Sequence, residues 1–598
     1  MKSGRARDLL GILGWILAAG LLVAVPLIFH RGFAEQFSYI KLVLTKTVVL
    51  VGLVACALGL VWRWFSWPKR FALGPPVALL MAAVLLSCWN SPVPVFSLVE
   101  AEYFLCGPFW LLLLILWGGG EARLRALAVL VAAAGTVVAA IALLQWSGHD
   151  PLLFGGYRIV WGTMVGRMRL YSTFGNPNFV AGYLIGAIFL ALALAGVSAK
   201  FPWKVAACVS VGAMFAAIVG TRSRGAWLGL AAGLVVARLM WRSAAGAGEP
   251  SPQSAGVNGN GSTLAKCVVV PAALALATTG LRATMEALVS RFEGRVYLWR
   301  ASWPLFAEHP VFGSGWGTFQ LQFLELQARF LQAHPEVVRY WTHTRQLHND
   351  PLQVLLEAGI VAAVASGWVL WAYGRETRRA LAGAPRSTRL WVGASAGGVT
   401  AILLNSLFNF QLAIPPTLLL LFTLLAIPSL LSVDRAAQEP AGLQSPEGGE
   451  QELGFVGLRV IASLSVVVLA ALLLVQFAQH AVAEYDYMLA LEYERKGNIS
   501  DAEQAFRQGL VRAPLHGRLH YGLARALYIQ AKYSSALTEV LLAERTFTDS
   551  HLEVLKARIQ DQMGFAGPAL ETYRHASALD PTLKSVRADI ERLRSGHL

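Results

Sequence analysis

The sequence predicts an all-α fold: a polytopic membrane helical bundle of about 12–13 transmembrane helices, a large polar loop on its outer side, and a C-terminal α-solenoid. Three observations carry this reading. The 598-residue chain is 56% hydrophobic and only 14% charged, with a mean hydropathy of +0.53, which is more apolar sequence than a soluble domain can bury. Apolar runs long enough to cross a bilayer recur near 9–29, 40–62, 72–90, 104–118, 125–146, 176–197, 204–220, 225–241, 264–281, 352–373, 389–413, 415–432 and 458–479. After the last run the chain turns polar and repeats itself every 33 or 34 residues.

The first run follows Lys2, Arg5 and Arg7. A cleaved leader would have a shorter apolar core and a small-x-small site after it, so this run reads as a retained span. Short-loop lysines and arginines orient the rest. With the N-terminus inside, the inside loops hold Arg63, Lys69 and Arg70; Arg123 and Arg125; Lys200 and Lys204; Arg242; and Arg375, Arg378, Arg379 and Arg386. The outside loop at 91–103 holds no basic residue. The net charge of +15 thus reflects membrane orientation, and nucleic-acid binding is not expected. Cys56, Cys88, Cys106, Cys208 and Cys267 lie in or beside apolar runs without a CxxC, as small packing residues do.

Three outside segments break the charge rule. Residues 147–175 hold Arg158, Arg167 and Arg169; the turn Thr221-Arg222-Ser223-Arg224-Gly225 holds two arginines; and 282–350 holds Arg282, Arg291, Arg295, Arg300, Arg329, Arg339 and Arg345. Long loops are exempt from the rule, but the short 221–225 turn is not. Ser223 can cap the helix that follows, leaving free N–H groups and the Arg222 and Arg224 guanidiniums around one point, a cradle for a diphosphate. The plainer reading makes these arginines interfacial anchors.

The 282–350 segment opens on an amphipathic helix, with Phe292, Val296, Trp299 and Trp303 at helical spacing and Arg291 and Arg295 one turn apart. Gly313, Gly315 and Gly317 follow, suited to a tight turn or a close backbone approach. The segment closes on His348-Asn349-Asp350-Pro351, where Asn349 or Asp350 caps a hydrophobic helix and Pro351 fits its first turn. His348 then sits just outside a helix N-terminus, which disfavours imidazolium and leaves a neutral ring able to accept a proton. A lone histidine there can equally be a structural polar residue. No His/Asp/Glu set has ligand spacing, so neither metal nor cofactor is expected. Glu357 lies two turns into the helix, where an unpaired carboxylate would be costly. Lys46, a turn into the second span, can partner Glu357 or a lipid phosphate. Asn176-Pro177-Asn178 opens another span as a cap or as a substrate contact. Asn405, Asn409 and Gln411 read as helix-to-helix hydrogen bonding.

The expected organisation is a transmembrane unit at 1–432 with its outside loop at 282–350, a flexible Gly/Pro-rich linker at 433–457, a final span at 458–479 and a repeat domain at 480–598. A second Gly/Ser/Pro/Asn-rich linker covers 243–263. In the repeat domain Ala502, Ala536 and Ala569 are each followed four residues later by Phe506, Val540 and Tyr573, and seven later by Gly509, Ala543 and Ala576. This resembles tetratricopeptide repeats, with Ser585–Arg594 as a capping helix. An odd number of spans puts the domain outside, an even number inside.

Taken in order, Gly175-Asn176-Pro177-Asn178, Thr221–Gly225, Arg295 with Trp299, Gly313-Ser314-Gly315, and His348-Asn349 with Glu357 and Gly359 resemble the O-antigen ligase superfamily. That superfamily includes Wzy-type polymerases and bacterial O-linked oligosaccharyltransferases, and the resemblance covers residues 9–432. It implies a glycosyltransferase of the bacterial inner membrane working on the periplasmic side. The donor would be a glycan on undecaprenyl diphosphate and the acceptor a hydroxyl on a glycolipid, glycan or protein. By this resemblance His348 is the base, and Arg222, Arg224 and Arg295 hold the diphosphate. Glu357 orients the histidine or an arginine, and Asn176, Asn178 and Asn349 contact substrate. The repeats would bind a protein partner on the periplasmic side. A flippase for lipid-linked sugars would also need outside arginines, but no inverted repeat or midplane charge pattern supports one. A scaffold acting through its repeats leaves the arginine turn unexplained.

Overall fold

The computed structural model describes residues 2–62, 71–152, 166–243, 281–438 and 452–595. Every long element among them is an α-helix. Eight described helices are long and apolar enough to cross a membrane: α2 (Tyr39–Val61), α4 (Pro94–Leu116), α5 (Glu121–Trp146), α6 (Pro177–Val197), α7 (Phe201–Thr221), α11 (Asp350–Leu381), α13 (Pro415–Gln438) and α14 (Glu452–Arg495). The expected runs near 9–29 and 72–90 lie in α1 (Lys2–Leu27) and α3 (Gly74–Trp89). Those near 225–241 and 389–413 give α8 (Arg224–Ser243) and α12 (Arg386–Ser406), where arginine, glycine and serine dilute the hydropathy. The run near 264–281, most of both linkers, the Arg63–Arg70 loop, Arg158 and Cys267 lie outside the described residues, as do the side chains of Arg167 and Arg291.

Small residues let the central helices approach. A Cβ on Gly229 or Gly233 of α8 would come within 2.4 Å of the Ala401 or Gly397 carbonyl oxygen of α12, so the two backbones pack nearly in contact. Helix α6, whose residues are almost all buried, packs against α12 as well as α5 and α7. Lys41, fully buried in α2, donates to the carbonyls of Val25 (2.9 Å), Pro26 (3.3 Å) and Ile28 (2.6 Å), closing the orphan C-terminal end of α1. Lys46 pairs with Glu102 at 2.9 Å rather than with Glu357, because α2 lies beside α4.

The polar segment folds into α9 (Leu281–Glu308), a glycine-bearing crossing at 310–317 and α10 (Phe319–Ala333). The crossing breaks α11. Gly359 adopts φ +73° and ψ −173° inside that helix, which frees backbone groups on either side. Ser314 N–H then donates to Leu356 O (3.1 Å) and Gly315 N–H to Glu357 O (3.0 Å), while Pro310 O accepts from Ile360 N–H (2.9 Å) and Val311 O from Val361 N–H (3.3 Å). A broken helix in apolar surroundings is tolerated when its freed groups are satisfied in this way.

Helix α14 runs unbroken for 44 residues from the final apolar run into the repeat domain. There α15 (Ile499–Arg512), α16 (Gly517–Ile529), α17 (Tyr533–Ala543), α18 (Ser550–Gln562) and α19 (Ala566–Leu579) pack in sequence, closed by α20 (Lys584–Arg594). The repeating positions are its core: Ala502, Ala536, Ala569, Phe506, Val540, Tyr573, Ala543 and Ala576 are all buried. The domain docks on the polar segment. Trp341 Nε1 donates to Leu579 O (2.8 Å), Thr548 Oγ1 to Leu321 O (2.9 Å), and His575 pairs with Glu325 (2.6 Å).

Candidate active site

The sequence brings six helix ends to one place. Helices α6, α8, α11 and α13 begin there and α7 and α12 end there, around the turn 407–414 that joins α12 to α13. Four of these ends are N-termini, each of which carries a partial positive charge.

That turn is the hub. Phe410 packs edge-on against the His348 ring, centroids 4.9 Å apart, and against Phe179, next to Asn178, at 5.1 Å. Phe408 lies under the Arg295 guanidinium at 5.8 Å, a cation–π contact. A Cβ on Gly225, beside Arg224, would lie 2.7 Å from Asn405 Oδ1 and 3.3 Å from Phe408 Cβ. The arginine turn, the Asn176 cap, Arg295 and His348 are thereby gathered around three consecutive residues, Phe408–Phe410.

Each piece is held locally. Asn349 Oδ1 accepts from Leu352 N–H (3.0 Å) and Asn176 Oδ1 from Asn178 N–H (2.9 Å), so both asparagines cap their helices. Asp350, the other candidate cap, instead accepts from Leu412 N–H (3.1 Å) and ties α11 to the hub. Ser223 is buried at the cap position of α8, while Arg222 is exposed and Arg224 half-buried. Arg222 and His348 both sit in the left-handed region, φ +51° and +56°. A non-glycine residue there costs about 1–2 kcal/mol and persists where its surroundings over-determine it.

Burial and the nearby Arg295 guanidinium lower the His348 pKa from its ordinary 6.5 to about 4, so the imidazole is neutral at physiological pH. The helix end alone disfavours imidazolium; desolvation and Arg295 act in the same direction. Glu357 is placed differently from expectation. Its carboxylate accepts from Gly317 N–H (3.0 Å), Phe319 N–H (3.1 Å) and Gln353 Nε2 (3.3 Å), capping α10, and its link to the histidine runs through Gln353 and backbone rather than to the ring.

Residues 209–366 match the family model described as O-antigen ligase. That segment is similar to the O-antigen ligase family. The matched segment holds Arg222, Arg224, Arg295, His348, Asn349 and Glu357, whereas Asn176, Asn178, the Phe408–Phe410 hub and the repeat domain lie beyond it. A search of curated proteins gave no match. The matched segment thus supplies the arginines and the histidine, and α12 and α13 flank the hub around which they lie. Sequence reasoning missed this role because Asn405–Gln411 reads as ordinary interhelical polarity. Its signal was two phenylalanines alternating with asparagine at a helix end.

Proposed function

We propose that the chain is an inner-membrane glycosyltransferase that moves a glycan from an undecaprenyl-diphosphate carrier to an acceptor hydroxyl on the periplasmic side. The observation that carries this reading is a neutral, half-buried imidazole at the same cluster of helix ends as three arginines. Arg222, Arg224 and Arg295, with the surrounding helix N-termini, stabilise the charge that grows on the departing diphosphate. His348 takes the proton of the acceptor hydroxyl as it attacks the anomeric carbon from the opposite face, inverting that centre. Asn176, Asn178 and Asn349 contact the substrate. Glu357 holds the loop in which His348 is set. The acceptor is a glycolipid, a growing glycan or a protein, which are the ligase, polymerase and oligosaccharyltransferase variants of one reaction.

Substrate binding strengthens the base. In the free protein Arg295 opposes protonation of His348; a bound diphosphate neutralises that guanidinium and raises the proton affinity of the ring. The acid limb of kcat/KM, which reports the free enzyme, therefore falls near pH 4, and that of kcat, which reports the complex, lies higher.

The test is reconstitution of the full chain in liposomes with lipid-linked glycan and acceptor. Transfer is expected to persist in a metal chelator, and His348→Ala and Arg224→Ala are each expected to lower it by about 10²-fold or more. Transfer that survives both substitutions, or flipping of the lipid-linked sugar with no covalent product, would refute the mechanism.

A further inference from the structure

We propose that Gln353 is a positioning residue for His348, holding the histidine loop in its strained conformation. This inference rests on the glycosyl-transfer reading for its kinetic consequence. Gln353 lies one turn into α11. Its Oε1 accepts from Leu347 N–H at 3.1 Å, and its Nε2 donates to Glu357 Oε1 at 3.3 Å. Leu347 is fully buried, and its carbonyl accepts from Trp299 Nε1 at 3.3 Å. Both backbone groups of the residue before His348 are thus tied by side chains, from α11 on one side and from α9 on the other.

The two ties bear on the chemistry together. Trp299 follows Arg295 by one helical turn, so the bond to Leu347 O fixes the helix that carries the guanidinium relative to the imidazole. The bond to Leu347 N–H fixes the chain just before the left-handed residue. With it released, His348 can relax to an ordinary φ, which swings the ring off Phe410 and away from Arg295.

An amide suits this position where other side chains do not. The group must accept from an N–H and donate to a carboxylate at once, and glutamine has both functions on one rigid plane. Glutamate would set a second carboxylate beside Glu357, lysine offers no acceptor, and asparagine is one methylene too short. Glu357 in turn is anchored by Gly317 and Phe319 N–H groups, so the relay ends on the N-terminus of α10.

The experiment uses the full-length protein in liposomes, comparing wild type with Gln353→Met, which keeps the length and loses the amide, and Gln353→Asn, which keeps the amide and loses the reach. Hydrogen exchange at the Leu347 amide and steady-state transfer kinetics are read together. Both variants are expected to speed exchange at Leu347 by about tenfold or more and to lower kcat by about 10- to 100-fold, with KM for the lipid-linked glycan within about twofold of wild type. Unchanged exchange at Leu347, or a kcat equal to wild type, overturns the positioning role while leaving transfer intact. A rise in KM with kcat preserved overturns it too, because that marks a binding contact. A wild-type protein that transfers nothing overturns the transferase reading, and the role with it.

Discussion

The hub and the repeat domain are built on opposite plans. In the repeat domain each helix packs on its sequence neighbours, and one small-residue pattern recurs through the core, from Ala502 to Ala576. At the hub, groups far apart in sequence meet: His348 touches Phe410, Gly225 touches Phe408, and Asp350 bonds Leu412. Two non-glycine residues there hold positive φ. Buried polar atoms of Asn405, Gln411, Tyr183 and Thr417 have no hydrogen-bond partner among the described residues. The repeat domain has one of each, Ala531 at φ +57° and Arg525 Nε, so such departures are more frequent at the hub than in the regular scaffold among the described residues.

The sharpest way to break this contrast is a pair of matched glycines. Gly359 and Gly564 both have positive φ, +73° and +82°, but a Cβ on Gly359 would lie 2.2 Å from Val311 O whereas one on Gly564 meets nothing within 4 Å. Gly359→Ala is expected to cost about 3 kcal/mol or more and to abolish transfer, because strain and backbone overlap add. Gly564→Ala is expected to cost about 1 kcal/mol, from strain alone, and to leave transfer near wild type. Thermal unfolding in detergent, followed by tryptophan fluorescence and set beside transfer rates, checks both. Equal effects would erase the distinction.

A smaller effect is expected from Asn349→Ala. Loss of the cap bond to Leu352 N–H should lower stability by about 1 kcal/mol in the same unfolding measurement. The smallest concerns docking of the repeats. Hydrogen bonds to Glu325 and Glu553 raise the His575 pKa from 6.5 to about 10. A raised folded pKa means that the contribution is complete at pH 6.5 and below and fades as pH climbs toward 10. The ring is 42% exposed, so solvent screening keeps the effect modest. Hydrogen exchange in the α10 segment near Glu325 should lose protection across that window in wild type and show no such trend in His575→Ala.

The periodic parts of the molecule were legible in the sequence for the reason that they are periodic. The apolar runs mark the helices, and the 33- and 34-residue spacing marks which side chains meet in the repeat core. Among the site residues, the helix starts after Asn176 and Ser223 follow from local rules, and of the two caps those rules allow, Asn349 and Asp350, Asn349 fills the position. What the sequence withheld depends on contacts across long separations. Lys46 finds Glu102 because α2 happens to lie along α4. Glu357 caps a helix some forty residues earlier because the 310–317 crossing is threaded through the break at Gly359, and no local pattern announces a break in the middle of so apolar a run. The Phe408–Phe410 turn is short, and its importance comes entirely from what surrounds it.

The unbroken α14 has a mechanical consequence. At 1.5 Å per residue its 44 residues extend ~66 Å, of which about 30 Å would suffice for the hydrocarbon layer. The remainder is a stiff mast whose far end is the first helix of the solenoid. Cargo gripped by the solenoid would be carried at a set altitude and compass bearing above the lipid, without the wide search volume of a loose tether. Reach would then select among acceptors as surely as chemistry does.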